Sequence, residues 1–163
     1  MAERRWLAIR SLFWVAVLPG VFAGWIPWRY FGLREVRLRP SDPVHLVGLA
    51  AIGTGVALFA WCVWEFARRG RGTLSPADPP RALVIQGPYR WVRNPMYLGV
   101  TAALLGEVAL TGSAALLIYW AVWFLAVNLF IRGYEEPTLR RQFGASFVEF
   151  SRTVPRWIPR RPR

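Results

Sequence analysis

His45 to Phe66 reads "HLVGLAAIGTGVALFAWCVWEF". The run is about 22 residues long, which is the length an α-helix needs to cross a bilayer core. Gly48, Ala51 and Gly55 fall at helical spacing within it. Side chains that small let a second helix approach closely. Gly53-Thr54-Gly55 forms a GxG, but inside a membrane helix its expected role is packing. Glu65 comes at the end of the run, where it is expected to reach water. Cys62, the one cysteine, reads as a small buried hydrophobe and excludes any internal disulfide.

Other apolar blocks lie on both sides of this run. "WLAIRSLFWVAVLPGVFAGWIPW" spans Trp6 to Trp28, after Arg4 and Arg5. Its "VFA" resembles a signal-peptidase site, yet its length and the interfacial Trp25 and Trp28 indicate a retained transmembrane helix. Pro19-Gly20 is expected to kink that helix without ending it. A basic connector, "RYFGLREVRLRPSDP", leads into the central run. Beyond it, residues 67–93 are polar, and Gly70, Gly72, Pro76, Pro79 and Pro80 rule out a continuous helix. Within this loop "ALVI" is too short to span and is suited to lining a pocket.

A third block begins at Pro95, a favourable first helical position, and reaches about Leu110. "TGS" then turns the chain into a fourth, "AALLIYWAVWFLAVNLFI", ending at Ile131. The two form an antiparallel hairpin that sets Asn128 level with Tyr97 and Glu107 towards the opposite end, where it is expected to reach the interface. In the tail, Leu139, Phe143, Phe147 and Phe150 recur at helical spacing opposite Arg140, Arg141 and Glu149, as in an amphipathic helix lying on a membrane. The expected fold is all-α: a polytopic membrane bundle of about four transmembrane helices with a C-terminal interfacial helix. It forms a single domain over residues 1–163.

Composition agrees. Hydrophobic residues make up 55% and charged residues 18% of the 163, against about 25% charged in ordinary soluble domains. All 21 basic residues are Arg and the formal net charge is +12. The arginines cluster just outside the apolar blocks, so their partners are headgroups and not nucleic acid. The middle loop and the tail are Arg-rich while the "TGS" turn has none, which puts both termini in the cytoplasm. Arg29, Arg34, Arg37 and Arg39 in the first connector run against that bias. His45, the only histidine, stands where a helix enters the membrane and reads as interfacial packing, so no metal site is expected.

Two features carry chemistry. "GPYRWVRNPMYLG", Gly87 to Gly99, packs Tyr89, Arg93, Asn94, Pro95 and Tyr97 at a helix start. Free amides and partial positive charge there attract carboxylates. The second feature is the adjacent pair Glu135-Glu136, which can pair with Arg132, Arg140 and Arg141 or serve a ligand. The hairpin returns this pair to the membrane face that holds the Gly87–Gly99 stretch. Anion-binding amides, aromatic rings and carboxylates together suit S-adenosylmethionine, whose sulfonium favours aromatic faces.

"LVIQGPYRWVRNPMYLG", followed by "EEPTLRRQFGASFVEFSRTVPRWIP", resembles the isoprenylcysteine carboxyl methyltransferase and phospholipid methyltransferase superfamily. These are integral membrane enzymes that methylate lipophilic substrates with S-adenosylmethionine. The resemblance covers residues 81–159 and implies that these form the cofactor-binding part. By it, Arg81, Leu83 and Val84 would line the cofactor pocket. Tyr89, Asn94, Pro95, Met96 and Tyr97 would hold the cofactor, and Glu135 with Glu136 would close the site. The superfamily usually reads Arg-His-Pro where this chain has Arg93-Asn94-Pro95, and Asn neither titrates nor carries charge near neutral pH. Ile131 falls where the prenylcysteine enzymes carry a substrate-orienting base, leaving Arg132 beside it as the candidate. An isoprenylcysteine carboxylate, a phospholipid amine and another small hydrophobic acceptor all fit. Two other readings remain: an NADPH-dependent reductase related to sterol reductases, and a non-catalytic membrane scaffold. Against the former, the chain is short and reads Gly133-Tyr134-Glu135-Glu136 where those enzymes have an Arg-Asp-Glu-like motif.

Overall fold

A computed structural model describes residues 19–69 and 82–161. Arg81 and most of the first apolar block lie outside these residues. Every regular element among them is helical. A π-helical turn, Val21–Trp25, runs into α1 (Ile26–Tyr30). After a 3-10 turn at Leu33–Glu35 come α2 (Pro43–Arg69), a second 3-10 turn at Gly87–Arg90, α3 (Pro95–Thr111) and α4 (Ala114–Phe130). A further π turn, Ile131–Glu135, leads into α5 (Glu136–Phe143), followed by α6 (Ala145–Thr153).

Two stretches are long and apolar enough to cross a bilayer: Pro43–Phe66, and Ala114–Phe143, which runs from α4 through the π turn into α5. α3 is shorter, as expected from its sequence.

The closest packing is between α2 and α3, and glycine makes it possible. A Cβ placed on Gly48 would sit 2.8 Å from the carbonyl oxygen of Gly106, and one on Gly106 would sit 2.5 Å from that of Gly48. One turn from the start of α3, a Cβ on Gly99 would meet the Gly55 carbonyl at 2.7 Å, and one on Gly55 would strike the Gly99 carbonyl. These reciprocal pairs recur at the same seven-residue interval on two antiparallel helices. Lipid tails are as apolar as Leu, so such helices associate through close van der Waals contact. Gly53, by contrast, faces open space.

α4 closes on α3 with larger side chains. Leu116 and Leu104 are fully buried beside Val100, with Tyr119, Trp120 and Trp123 packed around them. The "TGS" turn has clear local causes. Gly112 takes a left-handed φ of 62°, and the Ser113 hydroxyl accepts from the Leu116 amide at 3.2 Å, capping α4.

Each π turn is separated from a following proline, Pro27 or Pro137, by a single residue. Each proline lacks an N–H, so the backbone ahead of it loses a donor, and membrane interiors penalise unsatisfied carbonyls. At the first turn the Tyr119 hydroxyl of α4 donates to the Phe22 carbonyl at 2.9 Å, tying the N-terminal helix to the bundle. Pro19 and Gly20 are both helical, and the π turn follows directly after them.

Three expectations need correction. The amphipathic tail is two short helices, because Gly144 at φ 52° breaks it between Phe143 and Ala145. Glu107 is not open at the surface of the bundle: it is 5% exposed, and among the described residues its Oε2 has no hydrogen-bond partner. Glu65 does not reach water either, because the Gly87 turn folds over it.

Candidate functional site

The Gly87–Gly99 stretch packs over the C-terminal end of α2. Gly87 has a φ of +57°, and a Cβ there would lie 2.8 Å from Glu65 Cγ, so only glycine lets the turn sit on that side chain. The turn sets Tyr89 against Cys62. Burial raises the Tyr89 phenol well above its ordinary pKa of 10.0, and Cys62, Glu135 and Tyr97 push it the same way. Tyr89 therefore stays a neutral donor.

Pro95 is buried as the first residue of α3. The Leu98 amide reaches the Asn94 carbonyl at 3.2 Å, whereas the Met96 and Tyr97 amides have no backbone acceptor among the described residues. Asn94 is buried, but its side chain does not cap the helix; its Nδ2 donates to the Arg156 carbonyl at 3.3 Å. Val84 is buried and Leu83 half-buried in the segment leading into this turn.

The structure brings Tyr97 and Glu135 together, with the hydroxyl donating to Oε2 at 3.1 Å. It gives Glu136 a different set of partners. Arg156 grips Glu136 with both forks, Nε to Oε1 at 2.9 Å and Nη2 to Oε2 at 2.7 Å, and Arg93 Nη1 adds a bond to Oε1 at 2.9 Å. These are not Arg132, Arg140 and Arg141, the partners that proximity in sequence suggested. The bond to Glu136 raises the Arg156 guanidinium above its ordinary pKa; for Arg93, burial outweighs the same attraction and lowers it. Arg132 is exposed on the π turn, next to fully buried Ile131.

Residues 154–160 cross over this corner. The Arg93 amide donates to the Pro155 carbonyl and the Arg160 amide to the Trp91 carbonyl, each at 2.9 Å. Trp157 donates through Nε1 to Asn128 Oδ1 at 2.9 Å and packs on Phe124 with ring centroids 4.9 Å apart. Cys62, Glu65, Arg156 and Trp157 are thus constituents of this corner that the sequence reading did not place there. Only "PRWIP" lay within the stretch whose resemblance was recognised, and nothing local singled out its Arg or Trp.

A separate cavity of about 640 Å³ lies at the other end of α3, between the first connector and Leu110–Gly112. His45 sits there, accepting from the Arg39 amide at 3.0 Å and lying 3.9 Å from Asp42. Among the described residues no three His, Cys, Asp or Glu side chains gather as for a metal.

Two apolar helices of bilayer length thus stand beside a polar corner at one end of the helical bundle. Residues 43–146 match the phospholipid methyltransferase family, and the chain belongs to that family of membrane methyltransferases. The match takes in α2, which resembled the superfamily only in character, and stops short of Arg156. The family generally uses S-adenosylmethionine. No curated protein and no solved structure matches the chain.

Proposed function

We propose that this protein is a single-domain integral membrane methyltransferase that takes S-adenosylmethionine at the Tyr89–Tyr97–Glu135 corner and methylates a lipophilic acceptor. The observation carrying this reading is the half-buried Glu135 carboxylate. Among the described residues it has one hydrogen-bond partner, Tyr97, and that tyrosine belongs to a helix start with two unengaged amides. A carboxylate with spare acceptor capacity beside free amides suits a ligand carrying an ammonium or ribose hydroxyls at one place and a carboxylate at another.

When bound, S-adenosylmethionine supplies an electrophilic methyl group on a sulfonium. Glu135 and the rings of Tyr89 and Tyr97 would hold its cationic part, the Met96 and Tyr97 amides its carboxylate. Arg81, Leu83, Val84, Asn94 and Pro95 would complete the walls, and Arg132 would orient the acceptor. Asn94 offers no base, and its amide is engaged by the Arg156 carbonyl. The acceptor therefore attacks as an anion or a free amine, and the protein's contribution is alignment and exclusion of water. Alignment of this kind is worth up to about 7–11 kcal/mol in favourable cases. The chain would cross the bilayer four times with both termini in the cytoplasm, opening the site to the cytoplasm and its α3 wall to the lipid. The family assignment favours this over an NADPH reductase or an inert scaffold.

Calorimetry on the detergent-purified protein tests the reading. S-adenosylmethionine binds and NADPH does not, and Glu135→Gln weakens binding by about tenfold or more, equivalent to about 1.4 kcal/mol. Unchanged affinity in that variant contradicts the assignment of Glu135.

A further inference from the structure

The adjacent acids look equivalent in sequence, but their surroundings divide them. Side chains of neighbouring residues on a helix diverge by about 100°, so one ligand cannot be faced squarely by both. Glu136 accepts three charge-assisted bonds, two from the planar fork of Arg156 and one from Arg93, which engage both of its oxygens. A ligand group would have to displace a guanidinium to reach it. Among the described residues Glu135 has Tyr97 alone. Bidentate Arg–carboxylate pairs fix geometry as well as adding energy. This one joins the residue before Asn94, the first residue of α5 and the C-terminal segment.

We propose that Glu136 is not a ligand-binding acid but a positioning residue. Clamped by Arg93 and Arg156, it turns Glu135 towards Tyr97, and residues 154–160 serve as the strap that holds the clamp. The strap's other attachments support this. Pro155 and Arg160 bond to the backbone on either side of Val92, the Arg156 carbonyl holds the Asn94 amide, and Trp157 is anchored to Asn128 on α4. Arg156 lies beyond the segment matched to the family, so the role falls to a residue of this chain outside that match. The proposal rests on the reading of Glu135 as a cofactor ligand.

The test uses the full chain in detergent, S-adenosylmethionine as probe, and trypsin. Glu136→Gln and Arg156→Met should each raise the dissociation constant about tenfold, and the double variant should raise it little further than either alone, the non-additivity expected of groups in direct contact. A merely stabilising ion pair would change the unfolding midpoint without moving affinity. Independently of any ligand, Glu136→Gln should speed cleavage between Arg156 and Trp157 in the folded protein. If the wild type binds no S-adenosylmethionine, the functional reading falls while proteolysis still decides the clamp. Wild-type affinity in both single variants overturns the positioning role, and unchanged cleavage overturns the strap.

Discussion

Replacing Gly106 with Ala places one methyl group where α2 already stands. The new Cβ would lie 2.5 Å from the Gly48 carbonyl oxygen, 2.7 Å from Ile52 Cγ1 and 3.0 Å from the Ile52 amide nitrogen. Two of these neighbours are backbone and cannot rotate away. Carbon–oxygen contacts of this kind settle near about 3.3–3.6 Å, so the helices must part by on the order of 1 Å. Overpacking of this sort costs about 1–3 kcal/mol, against which alanine's better helix propensity offsets up to about 1 kcal/mol. Gly53→Ala is the matched control, because its Cβ meets nothing within 4 Å on the same helix pair. The difference between the two variants isolates packing from propensity. Equilibrium unfolding in mixed micelles by titrated sodium dodecyl sulfate, followed by tryptophan fluorescence, should show Gly106→Ala less stable than Gly53→Ala by about 1–3 kcal/mol. If the two unfold together, the glycine crossing does not hold α2 on α3.

Tyr97→Phe removes the hydroxyl donated to Glu135, and a hydrogen bond to a charged group is worth about 1.5–3 kcal/mol; calorimetry should show weaker S-adenosylmethionine binding in a protein that still folds. Asn128→Leu leaves the Trp157 N–H without its acceptor and should destabilise the protein by about 1–3 kcal/mol, read as a lower unfolding midpoint. The raised Tyr89 phenol pKa gives stability that is fully present below pH about 10 and is lost as alkaline pH approaches its folded value, since only the unfolded chain ionises there. The absorbance change at high pH should therefore omit Tyr89 in the folded wild type and be unaltered by Tyr89→Phe. Gly87→Ala forces a Cβ against Glu65 at a positive φ and should weaken both folding and cofactor binding.

Hydropathy made α2, α3 and α4 legible, because a run of apolar residues has one physical meaning at bilayer length. The small residues Gly48 and Gly55 announced a close partner, but not that Gly106 and Gly99 would answer them. Local patterning also places Tyr97 and the paired acids near one end of the hairpin. It is silent on orientation. Glu135 and Glu136 are neighbours of the same type, and only a segment some twenty residues onward separates their roles, through Arg156 reaching Glu136 at 2.7 Å. The burial of Glu65 and Glu107 is illegible in the sequence for a related reason. An acid near the end of an apolar run reaches water unless something covers it, and the covering of Glu65 by Gly87 is a long-range event. Arg81, expected in the cofactor wall, lies outside the described residues.

Methyl transfer itself is the deciding observation. The purified chain, reconstituted with a membrane lipid extract and given S-adenosylmethionine labelled in its methyl group, should move label into the organic phase, and Glu135→Gln should abolish most of that transfer at the same cofactor concentration. Label that stays in the aqueous phase with folded wild-type protein across prenylcysteine, phospholipid and small hydrophobic acceptors, or equal transfer by Glu135→Gln, contradicts a methyltransferase working through this corner.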